Sequence, residues 1–199
     1  MIPANRGRKL PPEPLSADEV RGLIRSCSRR APTGVRNAAL IAVLYRAGLR
    51  VSEALALMPK DLDTANSTVR VLHGKNDKSR TVGLDPGGWA LLQRWLDHRT
   101  ALGINGRQPV FCTLKGKPVS AAYVRMLLPR LARRAGIEKR CHPHGLRHTF
   151  AYELAGENVP IHVIQAQLGH SSVATTDRYI RHLRPEAIIA AMQARSWTL

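Results

Sequence analysis

The sequence has few acidic residues, few aromatic residues, only three cysteines and no long hydrophobic run. No apolar stretch approaches the roughly 20 residues that a membrane-spanning helix needs, and residues 1–16 lack the apolar core of a secretory signal. Cys27, Cys112 and Cys141 are odd in number and widely spaced, which argues against a disulfide framework. We therefore expect a cytoplasmic protein with reduced cysteines and no membrane partner.

Positive charge is what the sequence has in excess. It contains 31 Lys and Arg against 14 Asp and Glu, a formal net charge of +17, while its 44% hydrophobic content is ordinary for a protein with a core. A folded domain this basic usually has a polyanionic partner, either a nucleic acid or an anionic membrane surface. Because nothing else points to a membrane, nucleic acid is the leading partner.

The chain of 199 residues is long enough for one substantial domain. A proline-containing stretch, residues 1–14, is typical of an extended arm or linker. A capping box of Ser16 and Glu19 then predicts a helix start, and further helical patterns follow, the first of them ending at Gly48. Alternation of Val69/Val71 and of Val82/Leu84 around a polar turn predicts a β-hairpin, and "PVFC" (109–112) suggests a short strand. We expect an α+β fold, mostly α, in which a small antiparallel sheet packs against a helical bundle.

The stretch "CHPHGLRHTF" (141–150) concentrates metal-ligand side chains and an arginine. A structural zinc site needs a closed set of four ligands, but the other cysteines are isolated and no H-E-x-x-H or C-x-x-C motif occurs. Magnesium chemistry needs several carboxylates, and the candidates are Glu53, Asp61, Asp63 and Asp77. Of these, Asp61 and Asp63 fit the polar edge of a helix-to-strand connection, and Asp77 fits a turn. No phosphate-binding GxxxxGK[ST] loop occurs. We therefore expect no metal and no cofactor.

Arginine is the side chain best suited to a phosphate, because its planar fork donates two parallel hydrogen bonds to phosphate oxygens. Arg50 and Arg147 each stand beside an expected helix start, where backbone N–H groups also favour anions. Taken alone, either residue is more often a solvated surface arginine. Together with the charge they make the chain rich in phosphate ligands, whereas it is poor in metal ligands.

Four sequence blocks resemble, in order, those of the tyrosine recombinase (phage integrase) family, specifically its catalytic domain. They are "AGLRVSEALAL", "HGKNDKSRTVGL", "HPHGLRHTFA" and "QLGHSSVATTDRYIRH", and the resemblance covers roughly residues 15–185. An H-x-x-R match alone would be weak evidence, whereas four blocks in the right order are specific. The site residues that the resemblance implies are Arg50, Glu53, Lys75, His144, Arg147, His170 and Tyr179.

The resemblance also implies their roles. Tyr179 would attack a DNA phosphodiester and form a 3′-phosphotyrosyl link, while Arg50 and Arg147 hold the non-bridging oxygens. Lys75, at the hairpin tip, would protonate the leaving 5′-oxygen. His144 would accept the tyrosine proton or hydrogen-bond the phosphate, and His170 would donate a further hydrogen bond. Glu53 would orient the site. Because the covalent link conserves the energy of the broken bond, the reaction would need neither ATP nor metal.

Family members usually carry an additional N-terminal helical domain that grips the opposite face of the DNA. Residues 1–14 are too few to hold it, so we expect either a fragment of a longer protein or a natively short one. The tail, residues 186–199, has an apolar pattern that suits either docking on a neighbouring protomer or packing on its own domain.

Three functions remain open. The favoured one is site-specific recombination of double-stranded DNA by a homo-tetramer on synapsed DNA, with possible accessory DNA-binding proteins. Its biological role could be phage integration, chromosome resolution or mobile-element movement. The alternatives are type IB topoisomerase-like nicking and resealing, and a non-catalytic DNA-binding module.

Overall fold

The computed structural model describes residues 13–72 and 79–169, together with residue 193. Within these residues, the chain forms seven α-helices and a small three-stranded sheet. The helices are α1 (Ala17–Arg25), α2 (Pro32–Arg46), α3 (Val51–Ala56), α4 (Pro86–Ala101), α5 (Ala121–Arg134), α6 (Pro143–Gly156) and α7 (Ile161–Leu168). The strands are β1 (Leu62–Asp63), β2 (Thr68–Val71) and β3 (Arg80–Gly83).

Helix α2 is the centre of the bundle. Nearly all of its residues are buried, and it packs against α1, α4 and α6. A helix that is apolar on all sides is stable only when neighbours surround it, so the other helices arrange around this one. Its left-handed stop at Gly48 turns the chain directly into α3. The short helix that carries Arg50 and Glu53 is thereby fixed to the most buried element of the fold.

The sheet is antiparallel, in the order β1-β2-β3. Val69 pairs with Val82, and these two side chains, with Val71, enter the core. The predicted hairpin strands are confirmed, whereas residues 73–78, which include Lys75, lie outside the described residues. The strand suggested at "PVFC" is reduced to a single bridge between Cys112 and Pro118.

The predicted start of α1 is confirmed in detail. The Ser16 hydroxyl accepts from the Glu19 amide, and the Glu19 carboxylate accepts from the Ser16 amide. Just before it, the Leu15 amide donates to the Thr149 hydroxyl of α6 at 3.0 Å. This buried bond ties the start of the described chain to the helix that carries His144 and Arg147.

The prediction of a mostly helical α+β fold with a small antiparallel sheet is confirmed. Among the described residues, no helix combines the length and the apolar character that crossing a membrane requires. The expected arm at 1–14 and tail at 186–199 fall almost entirely outside the described ranges, so those boundaries stay predictions.

Candidate active site

A buried carboxylate, Glu53, forms the centre of the site. It lies in the first turn of α3, and its side chain is only 2% exposed. The carboxylate accepts from the backbone amide of Arg50 at 2.8 Å and from the Arg50 guanidinium Nη1 at 2.7 Å. Glu53 therefore fixes both the backbone and the side chain of the arginine that precedes its helix.

Arg80 contacts the same carboxylate from the sheet, and the sequence interpretation missed it. Its Nη1 and Nη2 donate to the two Glu53 oxygens at 3.0 and 2.9 Å, and its Nε donates to the Gln167 carbonyl at 3.2 Å. A signal was available, because strand alternation places Arg80 on the same face as the buried Val82. A charged residue on a buried face needs a partner of opposite charge.

Arg147 approaches the carboxylate from α6. Its side chain is 3% exposed, and its Nη1 lies 3.9 Å from Glu53 Oε2. Its Nη1 and Nη2 also donate to the carbonyls of Gly48 and Leu168, each at 2.6 Å. Arg147 thus joins the chain just before Arg50 to the chain just before Gly169 and His170.

His144 lies at the start of α6 and is exposed at the surface. Its ring meets the ring of the buried His148 edge-on, with centroids 4.3 Å apart. Partial burial of the ring lowers the pKa of His144 below 6.5, and the positive charges of Arg147 and Arg50 lower it further. The lowered pKa favours the uncharged imidazole, the form that accepts a proton. His148 is an interior histidine, with 7% of its surface exposed.

The charge balance of this cluster is positive. Burial alone would raise the pKa of Glu53, but the hydrogen bonds and charges of Arg80 and Arg50 outweigh it and hold the pKa at about 2. One ionised carboxylate therefore stands among three guanidinium groups. Arg50, with 32% of its side chain exposed, brings this positive charge to the surface. Such an arrangement suits an anion with more than one oxygen, such as a phosphodiester.

The structure brings together four of the seven predicted site residues: Arg50, Glu53, His144 and Arg147. Lys75, His170 and Tyr179 lie outside the described residues. Described residues near Lys75 and His170 nevertheless belong to the cluster. Arg80 stands on the strand that leaves the hairpin, and Gly169 directly precedes His170. The Gly169 carbonyl accepts from Arg50 Nη2 at 3.5 Å.

Three other tyrosines, Tyr45, Tyr123 and Tyr152, lie among the described residues. Burial raises the pKa of Tyr45, and its hydroxyl donates to the Glu153 carboxylate, which raises the pKa further. Tyr123 accepts from the Arg36 guanidinium at 2.9 Å. Tyr45 belongs to the core, whereas Tyr123 and Tyr152 are half-buried. A phenol with a raised pKa is a poor nucleophile.

No group of three or more His, Cys, Asp or Glu side chains suited to a metal ion occurs in the described ranges. Cys141, which the motif "CHPHGLRHTF" offered as a ligand, is buried, and burial raises the pKa of its thiol to about 12. His142 instead caps α6, where its Nδ1 accepts from the Gly145 amide at 2.8 Å. The Cys141 and His142 side chains therefore serve the structure, the first as part of the core and the second as a helix cap.

Known proteins share sequence and fold with this chain. The model of the phage integrase family matches residues 13–186, which is most of the chain. The chain belongs to the phage integrase family. It is 38% identical over 172 residues to the tyrosine recombinase XerD of Ralstonia nicotianae, a match that covers 84% of this chain and 55% of XerD. It is 34% identical over 192 residues to XerC of Lactobacillus leichmannii, covering 93% of this chain and 65% of XerC.

Solved structures of tyrosine recombinases share the fold. The crystal structure of XerA recombinase superposes with a TM-score of 0.80 at 31% identity, over 98% of this chain and 68% of that one. XerH bound to palindromic difH substrate gives 0.76 at 30% identity, over 92% of this chain and 53% of XerH. The chain spans about half to two thirds of the length of its curated relatives. It corresponds to a tyrosine recombinase catalytic domain, as the four sequence blocks predicted.

Proposed function

We propose that the chain is the catalytic unit of a site-specific DNA recombinase that cleaves and rejoins strands through a 3′-phosphotyrosyl intermediate at Tyr179. The observation that carries the proposal is the Glu53-centred arginine cluster, which presents Arg50 and His144 at the surface of a domain of this family. The proposed substrate is double-stranded DNA, consistent with the net charge of +17. The proposed site of action is the cytoplasm.

Arg50 is placed to bind the scissile phosphate first, because its side chain is exposed while Glu53 fixes its base. As charge builds on the non-bridging oxygens, the buried positive cluster stabilises it without having to reorganise. Arg147 adds charge to the cluster and holds the adjoining segments, and we propose that it also donates to the phosphate.

Proton transfer falls to three residues in this proposal. Partial burial and the charges of Arg147 and Arg50 lower the pKa of His144, which favours the neutral ring that can accept the Tyr179 proton as attack begins. Lys75 supplies the proton to the departing 5′-oxygen, and His170 donates a further hydrogen bond to the phosphate. Religation is the reverse, with a 5′-hydroxyl of a second strand displacing the tyrosine. No ATP is consumed, because the phosphotyrosyl bond retains the energy of the phosphodiester.

The assembly follows from paired strand exchange. Two duplexes exchanging strands require four active sites, so we propose a homo-tetramer on synapsed DNA, with accessory DNA-binding proteins as further partners. Since XerH, which shares this fold, is bound to a palindromic substrate in its crystal structure, an inverted repeat is the first target design to try. Binding should weaken with salt, with a log–log slope of ~−0.9 per phosphate neutralised.

The test is covalent capture. Supercoiled plasmid and duplexes that carry inverted repeats are incubated with protein in EDTA without ATP, and protein-linked DNA is precipitated after denaturation. Wild type should give an adduct and Tyr179→Phe none. Tyr152→Phe is the matched control, because it removes a half-buried hydroxyl outside the proposed machinery. DNA binding by a folded wild type that never forms an adduct would instead favour the non-catalytic module.

A further inference from the structure

Arg80 stands where three parts of the proposed site meet. It is the first residue of β3, the strand that leaves the Lys75 hairpin, and its side chain is 12% exposed. It bonds both oxygens of Glu53 and the carbonyl of Gln167. A methyl group added at Gly169 would lie only 2.7 Å from its Nη1, so the guanidinium also packs directly on the residue before His170.

The hydrogen bonds of Glu53 show what Arg80 does for Arg50. An ionised carboxylate offers about four acceptor positions. Oε1 accepts from Nη1 of Arg50 and of Arg80, while Oε2 accepts from the Arg50 amide and from Arg80 Nη2. Arg80 therefore supplies half of the bonds to a buried carboxylate, and Arg50 needs to give it only one guanidinium nitrogen of its side chain.

We infer that Arg80 is a positioning residue of this site, which holds Glu53 so that Arg50 keeps its other donors for the phosphate, and which fixes the hairpin strand against the segment before His170. The inference rests on the proposed function and deepens it. Arg80 is not assigned a contact with DNA; it acts through Glu53 and Gly169.

Loss of Arg80 has two consequences. The two vacated acceptor positions of Glu53 draw the Arg50 guanidinium inward, because a buried carboxylate without partners is costly. In the wild type, Arg80 does most to hold the pKa of Glu53 at about 2 against the effect of burial. Without Arg80 this pKa rises, and the carboxylate takes up a proton at a higher pH. Among the described residues, Arg50 from the turn before α3 and Arg147 from α6 still face it with positive charge.

The experiment measures single-turnover formation of the covalent adduct on DNA as a function of pH, for wild type, Arg80→Gln and Arg80→Lys. Arg99→Gln is the matched control. Arg99 is a buried arginine of α4 whose Nη2 donates to the carbonyls of Asn105, Gln108 and Pro109, at 3.2, 2.9 and 3.1 Å. The Arg99→Gln variant therefore removes a buried arginine that lies outside the site. Melting temperature and DNA affinity are measured for all four proteins.

We expect the cleavage rate of Arg80→Gln to fall roughly 10- to 100-fold, the effect of misplacing a reacting group by about 1 Å. Its DNA affinity should stay within about threefold of wild type, since Arg80 touches no phosphate in this account. The acid limb of its pH–rate profile should steepen and move upward, because protonation of Glu53 then adds to that of His144. Arg80→Lys should recover part of the rate, and Arg99→Gln should lower the melting temperature without moving the acid limb.

The outcomes separate the two claims. A wild type without adduct sinks the proposed function, and the inference with it. An active wild type whose Arg80→Gln variant cleaves at the wild-type rate with an unmoved acid limb overturns the inference alone. If Arg80→Gln does not fold, Arg80→Lys decides. If Arg80→Lys is also unfolded, Arg80 is purely structural. If it is folded and neither its rate nor its acid limb changes, Arg80 is dispensable. Either result overturns the inference.

Discussion

The carboxylate of Glu53 holds Arg50 at two points, accepting from its backbone amide at 2.8 Å and from its guanidinium at 2.7 Å. A single buried side chain therefore sets both where the helix begins and where its arginine points. The first prediction tests this relationship through stability.

Glu53→Gln should lower the free energy of unfolding at pH 7 by about 3 kcal/mol, because removing one member of a buried ion cluster leaves the others uncompensated. Urea unfolding of both proteins measures the loss. Glu157→Gln, an exposed change at the end of α6, should stay within about 0.5 kcal/mol of wild type. Equal effects of the two changes would contradict the central place given to Glu53.

Wild type and Glu53→Gln should also differ in how their stability depends on pH. The pKa of Glu53 is depressed from 4.5 to about 2, so its contribution is complete above pH 4.5 and is lost as the pH falls toward 2. The difference in unfolding free energy between wild type and Glu53→Gln should be constant from pH 7 to 5 and should shrink below that. A difference that grows on acidification would show that the carboxylate is not ionised in the fold.

The left-handed turn at Gly48 supports a second mutational test. Its φ is +64°, and an added Cβ would lie 2.5 Å from Phe150. Gly103 is the matched position, with φ of +70° and nothing within 4 Å of an added Cβ. Gly103→Ala should cost about 1–2 kcal/mol for the backbone alone. Gly48→Ala should cost about 1–3 kcal/mol more from overpacking.

Thermal and urea unfolding of the two alanine variants measure this difference, and DNA cleavage supplies a second readout. Because the Gly48 carbonyl accepts from Arg147, Gly48→Ala should also slow cleavage, while Gly103→Ala leaves it unchanged. Equal stability losses would mean that the space beside Gly48 is open.

Thr149 tests how the start of the described chain is attached. Its fully buried hydroxyl accepts from the Leu15 amide and donates to the Gly145 carbonyl, both at 3.0 Å. Thr149→Val should cost about 1–3 kcal/mol, because it leaves a buried N–H unpaired. It should also speed hydrogen exchange at Leu15. Thr100→Val, at an exposed hydroxyl of α4 that donates to Leu96, should be within about 0.5 kcal/mol of wild type.

The state of His144 is accessible to NMR. Its resonances, assigned with His144→Gln, should titrate with a midpoint below 6.5, because partial burial and the charges of Arg147 and Arg50 disfavour the imidazolium. Arg50→Gln should raise that midpoint by removing one of those charges. A midpoint at or above 6.5 in wild type would remove His144 as the neutral proton acceptor.

Much of this site was predictable from local pattern. The capping box predicted the start of α1, alternation predicted β2 and β3, and the four blocks pointed to Arg50, Glu53, His144 and Arg147, which the structure brings together. Each of these signals is contained in a short stretch of sequence, so periodicity or motif spacing exposes it.

The remainder depends on contacts between distant segments. Arg80 and Glu53 are 27 residues apart, and they pair only because the tertiary fold brings the start of β3 to the carboxylate on α3. Arg147 was expected to turn toward a phosphate, yet two of its nitrogens donate to the Gly48 and Leu168 carbonyls. Both carbonyls are freed by helix ends that only the tertiary fold brings within reach of α6.

The central claim is that Tyr179 becomes joined to DNA. The most direct test is mass spectrometry of protease-digested adduct formed in EDTA. The account predicts a nucleotide bound through its 3′-phosphate to the peptide that contains Tyr179, a free 5′-hydroxyl on the other cleaved end, and no adduct from Tyr179→Phe. An adduct on another residue, or cleavage that occurs only when magnesium is added, would contradict it.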